Sequence, residues 1–274
     1  MAQPIILVTG STSGIGKATV HALAQQGAEL LLHARTVKKA QNALDEFRNT
    51  CGGEQPDILV ADFAKQEEIR LMAADILSRY SRLDVLVNNA GTYAKTRQVT
   101  RDGVEVTFAV NYLAPFLLTR LLLPLLKKST SSRIVMVASS AHEDVEHIDW
   151  ENLPGMHHYE AWDAYALSKF AVITFTYTLT RSIKNSGITA NCLHPGVTDT
   201  KLLMSAFPGM HGITPEEGAQ TSVYLALSSK IKGVSGKYFK NMRAIRSSAL
   251  TYNHGIQDRL WKIGEELTQK KEAE

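Results

Sequence analysis

Ile5-Ile6-Leu7-Val8-Thr9-Gly10-Ser11-Thr12-Ser13-Gly14-Ile15-Gly16 decides how the chain is read. Four consecutive apolar residues make a buried-type strand, and the glycines and small hydroxyl residues behind them break it at once. A helix then opens. Glycines in such a turn let the backbone come close to a pyrophosphate, and the helix amino terminus adds free N–H groups and a favourable dipole. The spacing Gly10, Gly14, Gly16 differs from G-x-G-x-x-G, so the reading rests on the strand before the turn and the helix after it.

Working outward, the same rhythm repeats. Ile5–Val8, Leu30–His33, Ile58–Ala61, Val85–Val87, Ile134–Ala138, Thr189–Leu193 and Tyr238–Phe239 read as strands. Most lack polar alternation, as expected where helices cover both faces of a parallel sheet. Ile69, Met72, Ala73, Ile76, Leu77 and Tyr80 mark one apolar helix face. Val104–Leu126 and Trp162–Ile183 read as two long helices, and Thr214-Pro215-Glu216-Glu217 as a capping box. No repeat, linker or low-complexity tract divides residues 1–274, which predicts one domain. Two stretches break the rhythm, residues 141–161 and 200–213, and long loops at the carboxyl ends of parallel strands are where such sheets bind ligands.

The 274 residues are 44% hydrophobic and 21% charged, with 30 Lys and Arg against 27 Asp and Glu. Such a composition excludes disordered, collagen-like and disulfide-stapled proteins. A net charge of +3 argues against nucleic acid or a membrane surface as main partner. The only cysteines, Cys51 and Cys192, fit a reducing compartment. Met1–Pro4 lacks a basic leader, and Phe116–Leu126 is interrupted by Arg120 and Pro124, so the expectation is a soluble, cytoplasmic protein without a stable membrane anchor.

Thr9-Gly10-x-x-x-Gly14-x-Gly16, Asn88-Asn89-Ala90-Gly91 and Tyr165-x-x-x-Lys169 together resemble the short-chain dehydrogenase/reductase family, from Ile5 to about Phe239. Ser139-Ser140-Ala141-His142, the long insert before the tyrosine, His194-Pro195-Gly196 and Gly236–Phe239 are similar to its retinol dehydrogenase-like branch. The resemblance implies a Rossmann-type doubly wound α/β fold with a seven-stranded parallel sheet that binds NAD(H) or NADP(H). It places Gly10, Ser11, Thr12, Ser13, Gly14, Ile15 and Gly16 at the pyrophosphate, Asp62 at the adenine, and Asn88, Ala90 and Gly91 along the adenosine side. Pro195, Gly196, Val197 and Thr198 surround the nicotinamide carboxamide, with Thr198 or Thr200 reaching the pyrophosphate.

The second strand ends in His33-Ala34-Arg35, without the carboxylate that would hold a ribose 2′-hydroxyl. Arg35 can instead pair a 2′-phosphate, helped by Lys17 and Lys38, which favours NADP(H) over NAD(H). Tyr165 and Lys169 share a helix face. The ammonium is expected to lower the phenol toward use as an acid–base, and the resemblance gives Lys169 the nicotinamide ribose as well. Ser140 is the expected catalytic serine, since it precedes Tyr165 by the twenty-five residues found in retinol dehydrogenase-like relatives. Strand alternation turns Ser139 to the other side, where it bonds backbone. Asn111 matches the family asparagine that holds a water in the proton relay.

His142, His147, His157 and His158 suggest a metal, but their spacing lacks a carboxylate-supported frame and the chemistry needs none. Met204, Phe207 and Met210 either line an apolar substrate pocket or serve as ordinary lid packing, and Leu260, Trp261, Ile263 and Leu267 are expected to pack the tail 243–274 on the core. The expected activity is NADP(H)-dependent interconversion of an apolar aldehyde or ketone and its alcohol. The missing anchor sets the chain apart from membrane-bound relatives and makes retinoids less suitable substrates. The alternatives are a ring double-bond reductase related to protochlorophyllide reductase and a dinucleotide-sensing regulator without turnover. The two long apolar helices suggest a homodimer.

Overall fold

The apolar runs become strands of a single sheet in a computed structural model that describes residues 3–51, 55–153 and 157–269. The strands are β1 Ile5–Val8, β2 Glu29–Ala34, β3 Asp57–Val60, β4 Val85–Asn88, β5 Arg133–Val137, β6 Thr189–His194, β7 Tyr238–Lys240 and β8 Arg243–Ile245. Their order is β3-β2-β1-β4-β5-β6-β7-β8. Seven strands are parallel, as expected. The eighth corrects the expected count: Arg243–Ile245 turns back antiparallel on β7. Its three residues are exposed and carry no buried-type run, so no apolar signal marked it.

The helices are α1 Gly14–Ala24, α2 Val37–Thr50, α3 Gln66–Arg79, α4 Val106–Phe108, α5 Ala114–Leu126, α6 Ala161–Ser182, α7 Lys201–Ala206, α8 Pro215–Leu227 and α9 His254–Leu267. The expected capping box is formed: the Thr214 hydroxyl accepts from Glu217 N–H, and Glu217 accepts from Thr214 N–H.

Alternation along the strands splits the core in two. Ile5, Leu7, Ile134, Met136 and Ala138 face one side, with Ile69, Met72 and Ile76 of α3 and the apolar faces of α5 and α6. Ile6, Val8, Val135 and Val137 face the other, with Val20 and Leu23 of α1, Phe47 of α2 and Leu225 of α8. Leu77, expected on the buried face of α3, is exposed. By length and composition Val106–Leu126 is apolar enough to cross a membrane, but here it is mostly buried inside the fold.

Helix α9 occupies the outer face of α5 and α6. Trp261 packs on Phe116 and Phe175, Arg120 pairs with Glu265 at 2.9 Å, and the Tyr112 hydroxyl donates to the Leu260 carbonyl. Gly264 is required there, because a Cβ would lie 2.9 Å from both Phe116 and the Tyr112 hydroxyl. Helix α9 packs on the core, as expected for Leu260 and Trp261, and covers part of the face on which a homodimer was expected.

Candidate active site

The glycine turn leaves β1 and enters α1 at Gly14. Gly10 and Gly14 have φ of +64° and +53°, which side chains rarely adopt. A Cβ on Gly16 would sit 2.3 Å from the Gly10 carbonyl and 2.4 Å from Asn89 Nδ2. Asn89 ties this crossing together by donating to the carbonyls of Thr9 and Gly10, while its N–H reaches the Thr9 hydroxyl. Asn88 lies beneath, donating to the Thr119 hydroxyl and leaving its buried Oδ1 without a partner. Ala90 backs Gly10, with its Cα 2.8 Å from where a Cβ on that glycine would stand.

His33 determines which groups of the turn remain free. Its Nδ1 accepts from Gly10 N–H at 3.0 Å, and its Nε2 donates to the Ala61 carbonyl at 2.8 Å. Burial keeps the ring neutral, lowering it to about 4. Ser11 is consumed as well: its N–H and hydroxyl both donate to the His33 carbonyl. Both donors of Ser11 are therefore directed at β2 in this arrangement. Thr12 and Ser13 complete the turn, Ser13 occupying the cap of α1 without a side-chain cap bond. The first N–H groups of α1, on Gly14, Ile15 and Gly16, have no intrahelical acceptor and are the natural anion donors.

Arg35 is exposed at the mouth of the same end of β2. Lys17 is committed to Glu46 at 2.7 Å. The cations that crowd one another are Arg35, Lys39 and Lys201: partial burial first, then the charges of Arg35 and Lys201, hold the Lys39 ammonium below the usual lysine range. Lys201 enters because Thr200, beside it, packs its methyl group 3.0 Å from the Cβ position of Gly14. Asp62 closes a turn after β3, accepting from Ala64 N–H.

In the loop after β6, where the nicotinamide was expected, Gly196 has φ +97°. The loop is zipped at its base, where Ile213 N–H donates to the Val197 carbonyl and Asp199 N–H to the Ile213 carbonyl. Val197 is exposed, and Pro195 leads into the bend. The Thr198 hydroxyl donates to the Gly196 carbonyl, whereas the Thr200 hydroxyl caps α7. Of the two threonines, Thr200 is the one against the glycine turn.

Asn111, Lys169 and Gly91 meet: a Cβ on Gly91 would stand 3.4 Å from Asn111 Oδ1 and 3.5 Å from Lys169 Nζ. Asn111 lies in a π-helical turn, Ala109–Leu113, between α4 and α5. Its amide accepts from Thr92 N–H at 2.7 Å and donates to the Thr92 carbonyl and the Ser168 hydroxyl. π-turns of this kind gather at functional sites, because the extra residue redirects a side chain out of the helical register.

Lys169 is buried, donates to the Val137 carbonyl at 3.0 Å, and lies 5.6 Å from the Tyr165 ring centroid. Burial lowers its ammonium to about 8. Burial also pushes the Tyr165 phenol up to about 12, opposed by a hydrogen bond with the Ser139 hydroxyl. The expected depression of the phenol by the ammonium is therefore outweighed in the protein alone.

The serines also depart from the simple alternation argument. Ser139 does bond backbone, accepting from Ala141 N–H, but its hydroxyl also reaches Tyr165. Ser140 is half-buried, and its hydroxyl makes no hydrogen bond to a described residue. β5 ends at Val137 and the chain then turns into a 3-10 helix, Ser140–Asp144, so period-two alternation does not extend over the two serines.

An aromatic collar that the motifs do not mark surrounds Tyr165. Tyr93 and Trp162 stand 5.6 and 6.1 Å from its ring, and Phe207 of the 200–213 loop bridges them at 6.0 and 5.5 Å. Trp162 precedes Tyr165 by three residues on α6, a spacing that could have revealed it. Met204 and Met210, expected beside Phe207, are exposed instead.

A family profile described as short chain dehydrogenase matches residues 4–211. The chain is 38% identical to retinol dehydrogenase 11 of Homo sapiens over 271 residues, 96% of this chain and 85% of that protein. It is 34% identical to polyprenol dehydrogenase of Homo sapiens over 280 residues, 96% of this chain and 84% of that one. Among solved structures, an uncharacterised protein of Mycobacterium paratuberculosis superposes with a TM-score of 0.80 at 30% identity, covering 97% of this chain and 94% of its own. A short-chain dehydrogenase of Escherichia coli CFT073 complexed with NADPH superposes at 0.72 and 27% identity, covering 89% and 98%.

Proposed function

The chain belongs to the short-chain dehydrogenase family, on its retinol dehydrogenase-like branch, and is an oxidoreductase; on that premise we propose that it reduces an apolar aldehyde or ketone to the alcohol with NADPH. The observation that carries this reading is Tyr165, a neutral phenol enclosed by Tyr93, Trp162 and Phe207 and backed by buried Lys169.

The residues fit a nicotinamide dinucleotide. The glycine crossing has no room for a Cβ, the first N–H groups of α1 are free for a pyrophosphate, and Arg35, Lys39 and Lys201 offer positive charge where a 2′-phosphate would lie. NADPH complexed with the Escherichia coli relative supports the same choice. When bound, the dinucleotide supplies the hydride. Tyr165 donates the proton to the substrate oxygen, for which a protonated phenol is the required form. Lys169 holds positive charge behind it and bonds the ribose, Asn111 fixes the loop at Thr92, and the free Ser140 hydroxyl donates to the substrate oxygen. Ser139 stabilises the phenolate left after transfer. The collar excludes water and selects an apolar substrate. The whole chain acts as one dinucleotide-binding and catalytic unit in the cytoplasm. The cover of α9 on Phe116 and Phe175 argues against pairing of copies through α5 and α6.

Cys192 is buried in β6 and Cys51 lies at the end of α2, so neither cysteine serves a ring-reduction reading at Tyr165. The decisive experiment follows loss of NADPH with aldehydes and ketones of graded apolar size. Turnover is expected with carbonyls and retained best with the larger apolar ones. Tight NADPH binding without turnover on any carbonyl would favour the sensing role.

A further inference from the structure

Ser139 and Ser140 share one peptide group, and both of its polar atoms are held by imidazoles. The carbonyl, that of Ser139, lies 2.7 Å from Nδ1 of His142. The N–H, that of Ser140, donates to Nδ1 of His194 at 3.1 Å. His142 is fully buried and His194 is 5% exposed. The opposite edge of His142 leads away from the site, with Nε2 accepting from Ser248 N–H at 3.1 Å. Ser248 precedes the 3-10 turn Ala249–Tyr252 that leads into α9. The Tyr238 ring, 5.0 Å away, closes on His142 edge to face.

We infer that His142 and His194 are positioning residues, a pair of neutral imidazoles that fixes the 139–140 peptide and thereby aims the two serine hydroxyls. The inference rests on the reading that these serines serve the substrate and Tyr165. Rotation of this one peptide would swing both hydroxyls, and a displacement of about 1 Å in such a group is enough to cost about 10²-fold in rate. His142 also carries the arrangement from the carboxyl-terminal segment, through Ser248, into the site.

The bonds dictate the tautomers. A carbonyl only accepts and a backbone N–H only donates, so His142 must carry its proton on Nδ1 and accept at Nε2. His194 accepts at Nδ1 and must carry its proton on Nε2. Protonation of either ring would set N–H against N–H. Burial holds both below the ordinary histidine range, His194 at about 4. Glu143 and Asp144 face His142 and favour its charge more weakly, while Lys240 and His142 oppose charge on His194.

The test compares His142→Leu with His142→Asn, and His194→Leu with His194→Asn. Asparagine can place an amide N–H or carbonyl where each Nδ1 stands, whereas leucine cannot. The leucine variants are expected to lose about 10-fold or more in kcat with NADPH affinity unchanged, and the asparagine variants to recover most of it. Wild-type kcat in the leucine variants, or equal losses for leucine and asparagine, would overturn the inference. Should the leucine variants not fold, nitrogen NMR of the wild-type imidazoles decides: Nδ1–H for His142 and Nε2–H for His194 at neutral pH support the clamp, and any other state removes it. Wild-type turnover in both Ser139→Ala and Ser140→Ala would remove the serine assignments themselves, an outcome separate from the tautomer result.

Discussion

The Lys169 ammonium donates at 3.0 Å to the carbonyl of Val137, the last residue of β5, and so stands beneath the Tyr165 ring, with Ser139 and Ser140 in the segment that leaves the strand. The helix that carries the tyrosine is thereby tied to the end of the strand that leads into the two serines. The position of Tyr165 and Lys169 relative to the end of β5 is set by the packing of helix on sheet.

Tyr165→Phe removes one oxygen and leaves the ring between Tyr93 and Trp162. NADPH binding and folding are expected to persist while kcat falls by at least ~10²-fold. Ser140→Ala is expected to impair kcat more than Ser139→Ala, since the Ser140 hydroxyl is free for substrate whereas Ser139 serves the phenol. Steady-state kinetics with one accepted carbonyl and NADPH titration of each variant check both statements. Near-normal kcat in Tyr165→Phe would end the proposed mechanism.

Lys169 shows the cost of the site. Its pKa falls from 10.5 unfolded to about 8 folded through burial. Between those values the unfolded chain binds more protons, so stability rises with pH across that window. Below about 8 the buried charge is a standing penalty on the order of 3 kcal/mol. Lys169→Met is therefore expected to raise Tm at pH 7 while abolishing turnover and weakening NADPH binding. A lower Tm would mean that the bond to Val137 outweighs desolvation.

His33 acts with the opposite pH range. Its folded value of about 4 lies below the ordinary 6.5, so stability is full above 6.5 and is lost as pH falls toward 4. Thermal melts are expected to fall through that interval. His33→Asn can keep an acceptor for Gly10 N–H but has no imidazole to protonate, so its melts should be flatter there. Parallel curves for the two proteins would assign the acid sensitivity elsewhere, His194 being the next candidate.

The three cations predict the choice of dinucleotide. Arg35→Asp should weaken NADPH and improve NADH, because a carboxylate repels a 2′-phosphate and accepts from a 2′-hydroxyl. Lys39→Ala and Lys201→Ala should each weaken NADPH with little effect on NADH. Competitive binding of the two dinucleotides measures this, and equal NADPH affinity in all variants would place the selectivity elsewhere.

The sequence by itself determined the strand–turn–helix at Ile5–Gly16, the run of buried strands with helices between them, and the pairing of Tyr165 with Lys169 on one helix. These are local signals, carried by consecutive residues or by residues one helical turn apart. Only the tertiary structure decided what depends on distant partners. His33 was read only as the start of the strand end His33-Ala34-Arg35, yet its ring holds Gly10 N–H and the Ala61 carbonyl and its own carbonyl takes both Ser11 donors. Strand alternation separated Ser139 from Ser140, but the strand ends at Val137, before either of them, and two histidines far apart in the chain hold the peptide that joins them. Burial is likewise a sum over the whole fold, which is why a spacing of four residues announced that Tyr165 and Lys169 meet, while only the packed structure showed the phenol raised and the ammonium lowered.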